Sequence, residues 1–325
     1  MSAFITRFAP SPTGRLHRGH AFSALTAYAA ARAVGGRFLL RIEDIDFGRC
    51  RPDYETAILE DLAWLGLEWE EPVRRQSQHL DRYQAALNRL RADGLVYRCF
   101  RTRQDIAAEI GRAPHGLPPT FTGGPLPAAT EAARLAEGAT FAWRLSLAAA
   151  RSRLGCFGGL TFVEEGTDTT GETGTLSADP TPAGDVVLGR KDLGVAYHLA
   201  VVVDDALQGI THVIRGCDLF EAVPVQRLLQ TLLGLPAPVY RHHPLLLGPD
   251  GKRYAKRDQA QTLSELRAAG VTTAALRTEL GFAPAGQKTG TNPVWTVPVK
   301  LEDGPKAQLA RRSTAAVFPR SSFSS

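Results

Sequence analysis

The twelve residues from Ala9 to His20, APSPTGRLHRGH, hold two prolines, two glycines and two histidines. Pro10 and Pro12 stiffen the chain, and Gly14 and Gly19 let the backbone come close to a ligand. His17 and His20 then fall where a helix would begin. Backbone N–H groups and the positive end of a helix favour an anion there, and imidazoles add donors. This is a phosphate site without a G-x-x-x-x-G-K-[ST] loop; the alternative is a turn with two surface histidines. A second stretch, GPDGKRYAKRD from Gly248 to Asp258, carries Lys252 and Lys256, two of the chain's six lysines, beside Arg253 and Arg257. Flexible cations on a glycine-bracketed loop suit closure over a polyphosphate and stabilisation of a leaving pyrophosphate. A solvated basic loop is the competing explanation. The third stretch is RIEDID, Arg41 to Asp46. A carboxylate at the carboxyl edge of a parallel sheet can hold an ammonium group, and a strand-end charge cluster would look the same. Finally, Tyr197 and Arg215 flank the apolar run that begins YHLAVVVDD and ends HVIRGCDL. Arg215 suits a bidentate carboxylate pair, with a structural ion pair as the plainer option.

These groups need a scaffold. AFITRFAP alternates and stops at proline, which predicts a strand closed by a turn. GHAFSALTAYAAARAVGG is alanine-rich and ends at a glycine pair, which predicts a helix. RFLLRIEDID predicts a second strand, so the order is βαβ, with a parallel sheet and a right-handed crossover. The spacing predicts helices over Tyr54–Leu65, with Ile58, Leu59, Leu62 and Leu65 on one face, and over Leu80–Arg91, with Leu80, Tyr83, Leu87 and Leu90 on one face. The texture then becomes loop-rich, with TFAWRLSL as a short strand. LAVVVDDA, a continuous apolar run, is expected to be a buried strand, and VPVQRLLQTLLGL a helix. The expected fold class is α/β. A Rossmann-type parallel catalytic sheet occupies residues 1–98 and 186–245, with an inserted α+β subdomain at 99–185. The basic loop and a small helical module follow at 246–282, and 283–325 is expected to be poorly ordered.

The 325 residues are 44% hydrophobic and 22% charged, with a formal net charge of +5. That describes a globular chain long enough for about two domains. The mild basicity fits either an arginine-rich composition or a nucleic-acid partner. The amino end lacks a basic region followed by an apolar block and no apolar run is long enough to span a bilayer, so the expected location is the cytoplasm, with no membrane partner. Cys50, Cys99, Cys156 and Cys217 are far apart, which argues against a disulfide framework. Nothing demands more than a monomer.

Taken together, APSPTGRLHRGH resembles the HIGH signature of class I aminoacyl-tRNA synthetases in its glutamyl form, and RYAKR (Arg253, Tyr254, Ala255, Lys256, Arg257) resembles their KMSKS signature. RFAPSPTG, RIEDID, VVVDDALQGITHVIRG and HHPLLLGPDGKR resemble the same glutamyl subgroup. The resemblance covers about Phe4 to Phe282. A tRNA-charging member carries a helical anticodon-binding domain after the KMSKS loop. The short stretch after Arg257 leads to the expectation that none is present here, as in the short branch that attaches glutamate to the queuosine base in the anticodon of tRNA(Asp).

The resemblance implies that Arg7, Phe8, Ala9, Pro10, Ser11, Glu43, Tyr197 and Arg215 contact L-glutamate. It implies that His17, Gly19, His20 and Lys256 serve ATP, with Mg²⁺ expected alongside. Many members bind zinc through a C-x-C pair, a tyrosine and a later cysteine. Here Cys99 is followed by Phe100 and Arg101, and Phe121 and Pro125 stand near the second half. One thiolate cannot complete a tetrahedral site, so no zinc is expected. Tyr254 and Ala255 replace a small apolar residue and a serine in the KMSKS-like loop. Three alternatives stay open: a truncated enzyme charging tRNA(Glu), a non-catalytic synthetase paralogue, and another H-x-G-H nucleotidyltransferase.

Overall fold

The computed structural model describes residues 3–102, 105–106, 121–166, 171–190, 194–246 and 261–283. Strands β1 (Ile5–Phe8), β2 (Arg37–Ile42) and β3 (Glu70–Arg75) pair in parallel, in that order. Helix α1 (Arg18–Ala33) links β1 to β2, and α2 (Pro52–Trp64) links β2 to β3. The alanines that made α1 predictable also pack it: Ala21, Ala24, Ala27 and Ala31 are buried, and small side chains let a helix lie close to its sheet. Gly35, at φ +63°, reverses the chain after it. Helix α3 (Leu80–Ala92) buries Tyr83, Leu87 and Leu90.

An antiparallel sheet follows in the order β4 (Val96–Cys99), β5 (Ala142–Leu145), β8 (Val187–Arg190) and β9 (Gly194–Val195). Helices α4 (Ala128–Ala136) and α5 (Leu147–Leu154) fall within this part of the chain. The third sheet has the order β10 (His212–Gly216), β11 (Val239–His243), β6 (Thr161–Glu164), β7 (Gly174–Ser177), with β10–β11 and β11–β6 parallel. Helix α6 (Tyr197–Leu207) precedes β10, and α7 (Val223–Leu233) joins β10 to β11. Two short helices, α8 (Leu263–Ala268) and α9 (Thr273–Glu279), end the described chain. They occupy the stretch where the sequence predicts a small helical module. No helix among the described residues is long and apolar enough to cross a membrane.

The two parallel sheets meet at β1 and β10. Thr211 donates its N–H to the Ile5 carbonyl at 2.9 Å, and its Oγ1 accepts from the Ile5 N–H at 2.9 Å. Neighbouring residues of β2 face opposite cores. Leu39 joins the apolar cluster of α3, α6 and α7, whereas Leu40 joins that of α1, α2, α8 and α9. A sheet covered on both faces is what near-continuous apolar strands require.

LAVVVDDA is a helix, α6, and not the buried strand expected from it. A short apolar run cannot separate the two by pattern alone. Every residue from Leu199 to Asp205 is buried because α6 packs between α3 and α7. In a strand Asp204 and Asp205 would point to opposite faces. On a helix they lie about 100° apart, so both reach one buried cluster of arginines. The poorly ordered tail expected from residue 283 onward lies, past Ala283, outside the described residues.

Asp61 of α2 is fully buried, and neither carboxylate oxygen has a hydrogen-bond partner among the described residues. Burial pushes its pKa up to about 6, tempered by Arg267 and Arg15; the Arg267 Nη2 is 3.9 Å away. With the folded pKa above the unfolded one, the penalty is absent below about pH 4 and complete above about pH 7. Asp61→Asn is therefore expected to stabilise the fold by about 1–3 kcal/mol near pH 7 and by much less near pH 4. Denaturant melts of both proteins at the two pH values measure the difference.

Candidate active site

A cleft of about 460 Å³ opens where β1 and β10 end. Its walls include Arg7, Phe8, Ala9, Pro10 and Ser11 after β1, His17, Gly19 and His20 at the start of α1, Glu43 after β2, Tyr197 at the start of α6, and Arg215 on β10. These residues come from four separate stretches of the sequence, and the fold brings them into one cavity. The carboxyl edge of a parallel sheet, where two halves meet, is the usual place for a ligand. Tyr197 and Arg215 flank a helix, α6, and not the expected strand.

The histidine turn is built by its own side chains. His17 caps α1 and its Nδ1 accepts from the Gly19 N–H at 3.1 Å; the His20 Nδ1 accepts from the His17 N–H at 3.2 Å. This is a capping box in which two imidazoles do the work of Ser and Glu. Because each Nδ1 accepts, each neutral ring carries its proton on Nε2. The rings lie 3.8 Å apart, and both line the cleft at the positive end of a 16-residue helix.

Beneath the cleft floor lies a buried charge network that the sequence reading missed. Arg41 is wholly buried and donates from Nη1 to Asp205 Oδ1 at 2.7 Å and from Nη2 to Glu43 Oε1 at 3.0 Å. Arg7 donates from Nε to the same Asp205 oxygen at 3.1 Å. Asp204 accepts from Arg74, Gln76 and the Tyr83 hydroxyl. Burial works against the Asp205 charge, but Arg7 and Arg41 outweigh it and hold the carboxyl below its usual range. Burial also raises Glu43 above its usual range, tempered by Arg41 and Arg7. RIEDID is thus divided: Arg41 goes to the interior and Glu43 to the cleft. Asp44 accepts from Ser77, and Asp46 pairs with Arg49. The signal for the network was the DD pair inside an apolar run.

Other cleft residues escaped notice too. His243 accepts from Ser23 Oγ through Nε2 at 3.1 Å while donating to the Pro244 carbonyl, and burial lowers its pKa. Ser23, Asp218 and Leu219 share the same wall. His198, next to Tyr197 but not itself in the cleft wall, has its pKa lowered to about 4 by burial, with Arg215 nearby. The HH in HHPLLL was the only available sign.

Lys256, with Arg253, Tyr254, Ala255 and Arg257, lies outside the described residues. Both flanks of that segment reach the cleft region. Leu246 lines the cavity, Thr262 bridges to His17, and the Leu263 N–H donates to the Leu16 carbonyl at 2.8 Å. Arg18 pairs with Glu279 of α9 at 2.8 Å. A second cavity of about 600 Å³ shares Ser11, Glu43 and Tyr197 with the first and is edged by Arg49, Arg101, Arg144 and Arg190.

The residues around Cys99 do not fit a zinc site. Cys99 is buried, and the nearby Tyr97 hydroxyl donates to Asp185 at 2.8 Å. Phe121, near where the resemblance puts the second half of the ligand set, has its ring under the guanidiniums of Arg101 and Arg144 at 5.5 and 4.7 Å. Among the described residues no three His, Cys, Asp or Glu side chains gather as a metal site.

Residues 3–115 and 170–289 match the family described as tRNA synthetases class I (E and Q), catalytic domain. The chain belongs to this family of ligases, and its fold is that of a class I synthetase catalytic domain. It is 47% identical over 285 residues to the glutamyl-Q tRNA(Asp) synthetase of Rhodobacter capsulatus, covering 86% of this chain and 100% of that one. The protein of that name from Symbiobacterium thermophilum is 44% identical, with 82% of each chain covered. Within the class, the chain therefore falls in the glutamyl-Q tRNA(Asp) synthetase family. A glutamate–tRNA ligase from Oleidesulfovibrio alaskensis is 39% identical over 85% of this chain but 56% of its own length. The crystal structure of a glutamate tRNA ligase from Elizabethkingia meningosepticum superposes with a TM-score of 0.65 at 30% identity, covering 79% of this chain. The chain spans about half, 52%, of that longer enzyme.

Replacing Asp205 by alanine leaves Arg41 buried without its closest carboxylate. Unfolding measurements are expected to register a loss of about 3–5 kcal/mol, the usual cost of breaking a buried pair from one side. A loss below about 1 kcal/mol would show the pair to be energetically idle.

Proposed function

We propose that the protein activates L-glutamate with ATP and transfers it to the queuosine base in the anticodon of tRNA(Asp). The observation that carries this reading is the single cleft shared by Arg7, Glu43, Arg215, His17 and His20. A carboxylate and two guanidiniums suit an amino acid with a second carboxylate: Glu43 for the ammonium, Arg215 and Arg7 for the carboxylates. The Nε2–H groups of His17 and His20, with the α1 amino end, suit the phosphates of ATP, which would arrive with Mg²⁺. Lys256 stands six residues before Thr262, itself paired with His17, and is assigned to the triphosphate.

The glutamate α-carboxylate attacks the α-phosphorus and pyrophosphate leaves, giving glutamyl-adenylate. A hydroxyl of the queuosine cyclopentenediol then attacks the acyl carbon, and AMP leaves. Arginines around the second cavity, continuous with the first through Ser11, Glu43 and Tyr197, suit an RNA acceptor whose phosphates need cations. The similarity to the glutamyl-Q tRNA(Asp) synthetases of Rhodobacter capsulatus and Symbiobacterium thermophilum supports the same substrates. The protein acts as a cytoplasmic monomer, and zinc has no part in the reaction.

Two assays test it. Glutamate is expected to enter tRNA(Asp) that carries queuosine and to be refused by the transcript without it. Acceptance by unmodified tRNA(Glu) would instead make this an enzyme charging that tRNA. In glutamate-dependent exchange of label between pyrophosphate and ATP, Lys256→Ala is expected to lose about 10²–10³ in rate, the usual cost of removing one preorganised donor. No exchange by the unaltered protein would identify a non-catalytic paralogue.

A further inference from the structure

Arg215 is held on most sides. Its Nε donates to His242 Nε2 at 3.1 Å, its Nη2 donates to the Leu219 carbonyl at 3.0 Å, and its guanidinium lies 5.4 Å from the Tyr240 ring centre. Nη1 is buried, has no hydrogen-bond partner among the described residues, and belongs to a side chain that lines the cleft. Behind Arg215 the chain of contacts continues. His242 Nδ1 and Glu164 Oε2 are 2.6 Å apart, both side chains are fully buried, and Glu164 Oε1 accepts from the backbone N–H groups of His242 and Gly166.

An arginine can only donate, so His242 Nε2 must present its lone pair to Arg215. The ring proton is then on Nδ1 and goes to the Glu164 carboxylate. The polarity is therefore fixed along the whole chain: Arg215 Nε–H to His242 Nε2, and His242 Nδ1–H to Glu164 Oε2. A protonated imidazolium would turn a second N–H against the guanidinium. Edge-on Phe220, 5.1 Å away, and Tyr240, parallel within 2° at 6.1 Å, frame the imidazole ring. Gly166 completes the seat, because a Cβ there would lie 2.2 Å from the His242 carbonyl oxygen.

We infer that Glu164 and His242 are positioning residues that orient Arg215 and leave Nη1 as the donor offered to the substrate's carboxylate. Glu164 lies on β6, in the stretch assigned from sequence to the insert, whereas Arg215 and His242 lie on β10 and β11. The inserted stretch thus supplies a residue that sets the amino-acid pocket from behind. Such a group acts through geometry: without its acceptor the guanidinium swings, and binding of the carboxylate weakens before the chemical step does. The inference rests on reading Arg215 as the carboxylate ligand.

The test uses the full chain in glutamate-dependent pyrophosphate exchange, with ¹⁵N NMR of the histidine rings. His242→Leu and Glu164→Leu are expected to raise the glutamate KM at least about tenfold, with the ATP KM moving less than about twofold. Glu164→Gln keeps an oxygen acceptor for Nδ1–H and is expected to recover most of the loss. In the unaltered protein the His242 signals should report a protonated Nδ1 and a bare Nε2, a readout that survives if the leucine variants do not fold. A protonated Nε2, or a glutamate KM within about twofold of the parent in a folded His242→Leu protein, overturns the inference. If the unaltered chain shows no exchange while the ring signals are as expected, the proposed function fails and the relay geometry stands.

Discussion

The buried pair of Arg41 and Asp205 is the constraint around which the site is organised. Arg41 comes from β2 and Asp205 from α6, so their 2.7 Å contact ties the first sheet to the helix that leads into β10. Neither charge tolerates burial alone. The surroundings balance them: Arg7, Arg41 and Arg74 face Glu43, Asp204 and Asp205. Two of these six, Arg7 and Glu43, line the cavity. The two charges that face the cavity are therefore held in place by the charges that keep the interior neutral.

The same economy recurs at the histidine turn. His17 and His20 close the first turn of α1 by accepting its backbone donors, and this capping fixes which ring nitrogen bears the proton. The two side chains that meet the local helix-start requirement also line the cleft. Thr262 and Leu263 then bind the module after the basic loop to this turn, so that both flanks of the loop are anchored at the cleft.

The antiparallel sheet and the third sheet connect the inserted stretch to the catalytic core at two places. Tyr97 and Phe121 engage Asp185, through its carboxylate and its backbone N–H respectively, which ties β4 to the residues just before β8 across the intervening β5. Glu164 reaches β11 through its side chain and through the pairing of Tyr240 with Glu164. Contacts of this kind, between a strand of one segment and the pocket wall of another, make the insert part of the site's frame.

Local pattern alone determined much of this protein. The proline-rich turn, the alanine helix, the βαβ order and the faces of α2 and α3 all follow from short-range rules, because capping, turn chemistry and period act over a few residues. The site residues from Arg7 to Arg215 could be named because they stand in short contiguous signatures, and the resemblance to the glutamyl synthetases, not a local rule, implied their roles. Tertiary structure alone decided that LAVVVDDA is a helix, since an apolar run of that length fits either element until its neighbours are known. It also decided that Asp205 belongs with Arg41, and Glu164 with His242 and Arg215. Those partners lie 164, 78 and 27 residues apart along the chain, and charge pairing at such separations is set by where the sheets bring the backbone, which no local pattern encodes.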